Sequence, residues 1–112
     1  MTMRTRTALA IAFALFLGAA RGMAAEDRTI PLAVEEAGFA PAEVEAPTGA
    51  RVRLEVTNRT AAAIEFESFE LNRERVIQPG QTAAVYVSGL DPGRYEFFDD
   101  FHHQRRGALL VR

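Results

Sequence analysis

Cysteine is absent from all 112 residues of the sequence. A chain without cysteine forms neither disulfide bonds nor thiolate–metal bonds, and it cannot be lipidated through a cysteine side chain. The three methionines are Met1, Met3 and Met23, so no sulfur donor follows residue 25. A folded domain in the remainder of the chain must therefore be stabilised by one hydrophobic core, without disulfide bonds.

The first 25 residues have the layout of an export signal. Arg4 and Arg6 precede an uncharged apolar run at residues 8–20, and small residues follow it. This order is typical of a secretory signal peptide, and the run is shorter than the roughly 20 residues that a transmembrane helix requires. We predict a signal peptide at residues 1–25, one domain at residues 26–112, and a soluble periplasmic protein with no membrane insertion after cleavage.

Negative charge exceeds positive charge in the predicted domain. Residues 26–112 carry ten arginines against fifteen carboxylates, a net charge of −5. A nucleic-acid partner would call for a basic surface, and so would adhesion to anionic lipid. The composition argues against both partners and is suited to binding a cation. We expect surface carboxylates to pair with four of the arginines, Arg73, Arg75, Arg105 and Arg106.

Apolar and polar residues alternate with a period of two along most of the domain. The clearest case is Arg51–Asn58, in which Val52, Leu54 and Val56 fall on one face of a strand. Glycine and proline turns separate seven or eight such segments, and no segment after residue 25 has helical periodicity. The pattern predicts an all-β, Greek-key β-sandwich.

Two carboxylates alternate with apolar residues in the segment Ile64–Ser68. In an extended conformation Glu65 and Glu67 face the side opposite to Phe66, about 6 to 7 Å apart. This pair either binds a cation or belongs to the solvated face of a strand, and its spacing is compatible with both. Residues 70–74 break the alternation and predict a loop or a single helical turn.

A second polar group lies between two apolar segments near the end of the sequence, Tyr95–Phe98 and Ala108–Val111. The predicted arrangement is a strand, a charged loop and a strand. The loop contains two aspartates and two histidines, Asp99, Asp100, His102 and His103. These residues are either metal ligands or ordinary turn residues. No Ser-His-Asp or Cys-His arrangement suggests a catalytic nucleophile.

This segment resembles the ligand loop of cupredoxins, small Greek-key β-sandwich proteins that bind copper. The matching positions are Tyr95, Phe97, His102, Gly107, Leu109 and Val111. Asp99 stands where the cupredoxin pattern has its cysteine, so a thiolate-bound blue copper centre is excluded. The resemblance implies that residues 65–68 and the loop before the last strand meet at one end of the sandwich.

A longer resemblance is to the EfeO-type cupredoxin-like domain family. It includes the E-F-E-S run at residues 65–68, Pro79-Gly80, and the run P-G-R-Y at residues 92–95, and it covers nearly all of residues 26–112. The resemblance implies a periplasmic protein that handles iron, with copper as a redox partner. It also implies two protein partners, a periplasmic iron-binding protein and an inner-membrane iron permease. Whether the chain only binds iron or also oxidises it, as a ferroxidase, is left open.

The predicted metal site combines the two polar groups. Carboxylate oxygens with one imidazole suit Fe(III), Fe(II), Mn(II) or borderline Cu(II), whereas Cu(I) prefers sulfur. We expect iron to be favoured. The predicted ligands are Glu65, Glu67, Asp99 and His102, with Asp100 and His103 as secondary candidates. Two alternatives stay open: an electron-transfer cupredoxin without a blue copper site, and a non-metal sandwich whose acidic end docks a protein partner.

Overall fold

The computed structural model describes residues 26–112, and the predicted signal peptide lies outside the described residues. The described residues form nine β-strands, and they include no helix that could cross a membrane. The strands are β1 (Asp27–Glu35), β2 (Gly38–Ala40), β3 (Glu43–Ala46), β4 (Arg51–Asn58), β5 (Ile64–Ser68), β6 (Arg73–Ile77), β7 (Thr82–Ser88), β8 (Gly93–Asp99) and β9 (His102–Val111).

The strands form two mixed sheets. The four-stranded sheet has the order β2-β1-β4-β7, and the five-stranded sheet has the order β3-β9-β8-β5-β6. Strand β1 runs parallel to β4, and β3 runs parallel to β9, while the other neighbouring strands are antiparallel. The predicted all-β sandwich is confirmed, with nine strands in residues 26–112 where the sequence predicts seven or eight.

The core lies between the two sheets and follows the predicted alternation. In β4 the side chains of Val52, Leu54 and Val56 are buried, and those of Arg51 and Arg53 are exposed. Each strand of a half-buried sheet sends every second side chain to the core, because successive residues point to opposite faces. The alternation in the sequence is therefore sufficient to assign the inner face of this strand.

Three phenylalanines from both sheets meet in the core. The ring centroids of Phe39 and Phe97 are 4.8 Å apart, and those of Phe66 and Phe97 are 5.2 Å apart. Aromatic pairs at such distances stabilise a core through both buried area and ring geometry. Phe66 is also the pairing partner of Asp99 across β5 and β8. The cluster thus packs together the strands that carry Glu65, Glu67 and Asp99.

Two strand boundaries differ from the predicted ones. Strand β9 begins at His102, so the charged loop predicted between Asp99 and Gly107 is reduced to the turn at residues 100–101. Strand β6 begins at Arg73, inside the loop predicted at residues 70–74. Both extensions are rich in charged side chains, which show no apolar alternation. Only backbone pairing with the neighbouring strand makes these extensions part of a strand, and the apolar pattern of the sequence does not indicate this pairing.

Candidate metal site

Strand β5 divides its side chains between the core and the outer face of the five-stranded sheet. Ile64, Phe66 and Ser68 are buried, whereas Glu65 and Glu67 are half-buried on the outer face. This is the orientation that the sequence predicts for the two glutamates. It places both carboxylates on the same surface of the molecule.

A third carboxylate joins these two on the outer face. Glu67 lies directly opposite Glu74 in the antiparallel pairing of β5 with β6. Ligand oxygens of Glu65, Glu67 and Glu74 all lie within 4.8 Å of one another. We refer to these three residues as the carboxylate cluster. Like charges at opposite positions of a sheet repel each other, so a bound cation would relieve the repulsion within this cluster.

The proton affinity of Glu67 reflects this arrangement. Its pKa is raised above the ordinary value of 4.5, first by burial, then by the charge and hydrogen bonding of Glu74, and then by Glu65. Burial and neighbouring negative charge both disfavour the ionised form of a carboxyl group. A cation would act in the opposite direction, because it favours the ionised form.

Glu74 is missing from the ligands predicted from the sequence. The prediction assigns it to a loop, but it is the second residue of β6. Residues 67 and 74 are equally far from the centre of the turn at residues 69–72, and such positions face each other in a hairpin. The signal that would have identified Glu74 is therefore the symmetry about this turn, and not the apolar pattern.

The donors of the carboxylate cluster define the metals that it suits. Among residues 26–112, this cluster is the only group of three or more histidine, aspartate or glutamate residues with ligand atoms so close together. Carboxylate oxygens are hard donors, which suit Fe(III), Mn(II) and similar cations better than Cu(I). The outer face of the five-stranded sheet therefore carries a donor set of the kind that iron binds.

Asp99 is oriented toward the interior of the sandwich, and its side chain is fully buried. One carboxylate oxygen, Oδ1, accepts hydrogen bonds from the backbone amides of Glu65 and Phe101, each at 3.0 Å. The other, Oδ2, lies 3.0 Å from Nη1 of Arg105. Protein donors thus engage both oxygens of this predicted ligand.

Arg105 is an interior residue, with only 4% of its surface exposed. The expected pairing with a surface carboxylate is found with Glu36, whose side chain is 67% exposed, but Arg105 itself and its second partner, Asp99, are buried. Its Nη2 donates to Oε2 of Glu36 at 2.8 Å, and its Nε donates to the carbonyl oxygen of Glu36 at 3.2 Å. Glu36 follows β1 in the four-stranded sheet. The guanidinium therefore connects the two sheets at the end of the sandwich that contains Asp99.

The two histidines belong to two different pairs. Nδ1 of His102 lies 3.9 Å from Oδ2 of Asp99, and its side chain is about half exposed. Nε2 of His103 lies 2.9 Å from Oδ1 of Asp100, and its ring packs edge-on against Phe98. The two histidines are neighbours in β9, and successive side chains of a strand point to opposite faces.

The structure therefore distributes the predicted ligands over two places. Glu65 and Glu67 lie in the carboxylate cluster on the outer face. Asp99 and His102 lie together beside Arg105, with Asp99 buried and His102 half exposed. Coordination of one cation by all four residues stays a prediction.

An aromatic groove lies next to the carboxylate cluster. It has a volume of about 300 Å³ and is lined by Phe69, Phe98, His103 and Arg106, together with three carboxylate residues. The Phe69 side chain is 77% exposed, and Phe101 in the β8–β9 turn is 50% exposed. Phe101 is thus largely outside the core, in contrast to Phe66 and Phe97. We refer to this feature as the aromatic groove.

A thiolate-bound copper centre does not fit the residues of this chain. Residues 26–112 contain neither cysteine nor methionine, so the soft donors that Cu(I) prefers are absent there. The position that matches the cupredoxin cysteine is Asp99, which already faces a guanidinium at 3.0 Å. A metal cation at the same oxygen would be repelled by that charge. The donor chemistry points away from Cu(I) at this end of the sandwich.

Two facing mixed sheets with a shared phenylalanine core define a β-sandwich of the cupredoxin type. The family described as "Cupredoxin-like domain" matches residues 7–111 of the sequence. The chain belongs to this family. An uncharacterized protein of Rickettsia prowazekii (strain Madrid E) is 30% identical over 82 residues, which cover 73% of this chain and 66% of that protein. The match thus spans slightly less than two thirds of the length of this relative.

Solved structures share the fold at low sequence identity. The metal-binding domain of the Cu(I)-exporting P-type ATPase CopA of Streptococcus pneumoniae D39, solved with Cu(I), has a TM-score of 0.68 and 16% identity, covering 81% of this chain and 91% of that chain. The purple cupredoxin of Nitrosopumilus maritimus has a TM-score of 0.57 and 17% identity, covering 74% and 99% of the two chains. At these identities the likeness establishes the cupredoxin-like fold.

Proposed function

We propose that this chain is a periplasmic iron-binding protein of the cupredoxin-like family. In this proposal residues 1–25 are the export signal and residues 26–112 are the functional domain. The protein binds iron as cargo and acts beside a periplasmic iron-binding protein and an inner-membrane iron permease. The EfeO-type features at residues 65–68 and 92–95 support the iron-uptake assignment. N-terminal sequencing of the exported protein checks the cleavage position.

One observation carries the proposal: the three clustered carboxylates of Glu65, Glu67 and Glu74. Hard oxygen donors at this density suit iron and manganese cations. The net charge of −5 in residues 26–112 attracts cations to the molecule as a whole. Asp99 and His102, the other predicted ligands, are not needed for this part of the proposal.

Metal titration of the purified protein tests the proposal. We expect Fe(II), under anaerobic conditions, and Mn(II) to raise the melting temperature, because a ligand that binds only the folded state stabilises it by mass action. Replacing Glu67 or Glu74 with glutamine removes one anionic donor and should weaken the affinity by at least about tenfold, since a charge pair at contact distance contributes more than about 1.4 kcal/mol. Titration of Zn(II) and Cu(II) in parallel ranks the metals.

Glu55→Gln is the matched control for these variants. Glu55 lies in β4 of the four-stranded sheet, where it pairs with Arg53 at 3.4 Å, away from the carboxylate cluster. This substitution removes the same charge and should leave the metal affinity unchanged within about twofold, because a distant surface charge is screened by salt. An equal loss of affinity in Glu55→Gln and Glu67→Gln would contradict a site at the cluster.

The aromatic groove favours one alternative function, the docking of a protein partner. Phe69, which lines the groove, and Phe101, which lies outside it in the β8–β9 turn, expose large apolar surfaces, which in many proteins mark an interaction site. The titration separates the two functions. A protein that gains no stability from any of the four metals would contradict iron binding and leave the exposed aromatic residues as the functional surface.

A further inference from the structure

The Asp99–Arg105 pair is the only ion pair within residues 26–112 in which both side chains are almost completely buried. Their side chains are 0% and 5% exposed, respectively. Burial of two charges is favourable only when geometry and additional hydrogen bonds compensate for the lost hydration. Additional hydrogen bonds compensate here for the lost hydration. Arg105 also donates to two oxygen atoms of Glu36, and Asp99 accepts hydrogen bonds from two backbone amides.

The guanidinium lies among groups that are themselves metal donors. It contacts the carboxylates of Asp99 and Glu36 at 3.0 Å and 2.8 Å. The imidazole Nδ1 of His102 lies 3.9 Å from the same oxygen of Asp99. Two carboxylates and an imidazole form a donor set that Zn(II) and Cu(II) accept in other proteins. The arginine side chain bridges the two carboxylates, and with it in place the three ligand atoms do not all lie within 4.8 Å of one another.

We infer that Arg105 serves as the resident cation at the end of the sandwich and keeps metal ions away from Asp99, Glu36 and His102. The guanidinium neutralises the buried carboxylate and joins the turn after β1 to strands β8 and β9. A metal ion at Oδ2 of Asp99 would have to displace this group and leave its positive charge unpaired in the interior. The chain therefore closes this end of the fold without a metal ion.

Removal of Arg105 should uncover a metal site. We would replace Arg105 with alanine in the Glu67→Gln background, so that the carboxylate cluster contributes little to metal binding. In this protein Zn(II) should raise the melting temperature by at least about 5 °C at a concentration well above the dissociation constant, whereas the parent Glu67→Gln protein should shift by less than about 1 °C. Adding Asp99→Asn should abolish the gain.

Arg106→Ala in the same background is the matched control. Arg106 is the next residue in β9, and its guanidinium stacks on Phe98 outside the core. Its removal takes away the same charge without exposing Asp99, so Zn(II) should produce no gain. The inference is wrong if Arg105→Ala folds and gains no Zn(II)-dependent stability, or if Arg106→Ala gains as much.

The unmodified protein supplies a second measurement, which does not depend on the folding of a variant. During titration with Zn(II), the nuclear magnetic resonance signals of the Arg105 side-chain Nε–H and of the Phe101 amide should stay at their positions, because both groups belong to the intact network. Shifts at Glu65, Glu67 and Glu74 would report the proposed cluster and have no bearing on Arg105. Displacement of the Arg105 signal by Zn(II) would overturn the inference.

Discussion

Asn58 ends β4 with a side chain that is fully buried and uses every polar atom. Its Nδ2 donates to the carbonyl oxygens of Ala62 and Ile77, each at 2.9 Å. Its Oδ1 accepts from the amide and the hydroxyl of Thr60. A carboxamide is the side chain that offers two donors and an acceptor in this geometry. The residue thus holds the link between β4 and β5 against the end of β6.

The substitution Asn58→Asp tests this role. Aspartate would place a buried carboxylate against two carbonyl oxygens that need donors, and leaving buried groups unsatisfied costs about 1–3 kcal/mol or more when a charge is involved. We expect the free energy of unfolding to fall by at least about 2 kcal/mol in urea denaturation.

Asn72→Asp provides the control for this substitution. Asn72 lies in the turn before β6 at a φ of 53°, a conformation that aspartate also tolerates, and its side chain is exposed. The same chemical change there should alter stability by no more than about 0.5 kcal/mol. Equal losses of unfolding free energy in the two variants would show that the buried hydrogen bonds of Asn58 do not stabilise the fold as argued.

From Arg105 to Val111, every second residue of β9 is buried, and this alternation continues beyond its apolar residues. Val111, Leu109 and Gly107 are buried at every second position, and continuing this spacing toward the N-terminus reaches Arg105. The two-residue period of β9 therefore predicts that Arg105 is buried. An arginine is rarely buried without a partner, and the partners of Arg105 come from other segments, Asp99 from β8 and Glu36 from the turn after β1.

At the scale of elements, the two sheets meet along their edges through arginine side chains. Arg73 in β6 donates from Nε to the carbonyl oxygen of Tyr86 in β7 at 2.9 Å, and Arg75 reaches the carbonyl oxygen of Ala84 at 3.4 Å. These contacts replace the predicted pairing of both arginines with carboxylates. An exposed strand edge offers unpaired carbonyl groups to other chains, and here the arginines occupy some of them.

The packing of Phe97 against β9 depends on one glycine. A Cβ atom at Gly107 would lie 2.6 Å from the carbonyl oxygen of Ala42 and closer still to the ring of Phe97. Real Cβ atoms do not approach other atoms so closely, so the ring and the backbone would have to move. The absence of a side chain at Gly107 is therefore what lets Phe97 take its place in the core.

Gly107→Ala should destabilise the protein by about 1–3 kcal/mol, the usual penalty for forcing extra atoms into a packed core. Thermal and urea unfolding would measure the loss. Gly93→Ala is the matched control, because a Cβ at Gly93 meets only the ring of Tyr95 at an ordinary distance of 3.6 Å. A Gly107→Ala protein as stable as Gly93→Ala would show that the contact relaxes freely.

These elements also show why the sequence predicts the fold better than the site. The sandwich follows from alternation within single strands such as β4 and β5, which is a local property. The carboxylate cluster depends on the pairing of Glu67 with Glu74, and the buried ion pair depends on Asp99, Arg105 and Glu36 coming from three separate segments. Such contacts are set by register and by the packing of two sheets, which no local pattern encodes.

At the scale of the whole molecule, many surface charges form ion pairs, whereas among the described residues the three carboxylates of the carboxylate cluster form none. Arg51 pairs with Asp27, and Arg53 pairs with Glu55, on the four-stranded sheet. Within residues 26–112, no ion pair involves Glu65, Glu67 or Glu74. The stability of the metal-free molecule should therefore depend on pH through this cluster with a sign opposite to that of a paired carboxylate.

The sign follows from the pKa of Glu67, which is higher in the folded protein than its ordinary value of 4.5. Between these two values the folded state binds a proton that the unfolded state has lost. The contribution of this group to the free energy of unfolding is therefore present below pH 4.5 and is lost as the pH rises through the raised pKa. At neutral pH the ionised cluster destabilises the metal-free fold.

Glu67→Gln should remove this dependence, because glutamine does not ionise. We expect the variant to gain stability relative to the unmodified protein as the pH rises from about 4 to about 7, with the difference levelling off above the raised pKa. Urea denaturation at a series of pH values, with a chelator present, measures it. Comparing the two proteins cancels the titration of the other carboxylates. Glu55→Gln, outside the cluster, is the control, and a difference for Glu67→Gln that is flat or no larger than that for Glu55→Gln would contradict repulsion within the cluster.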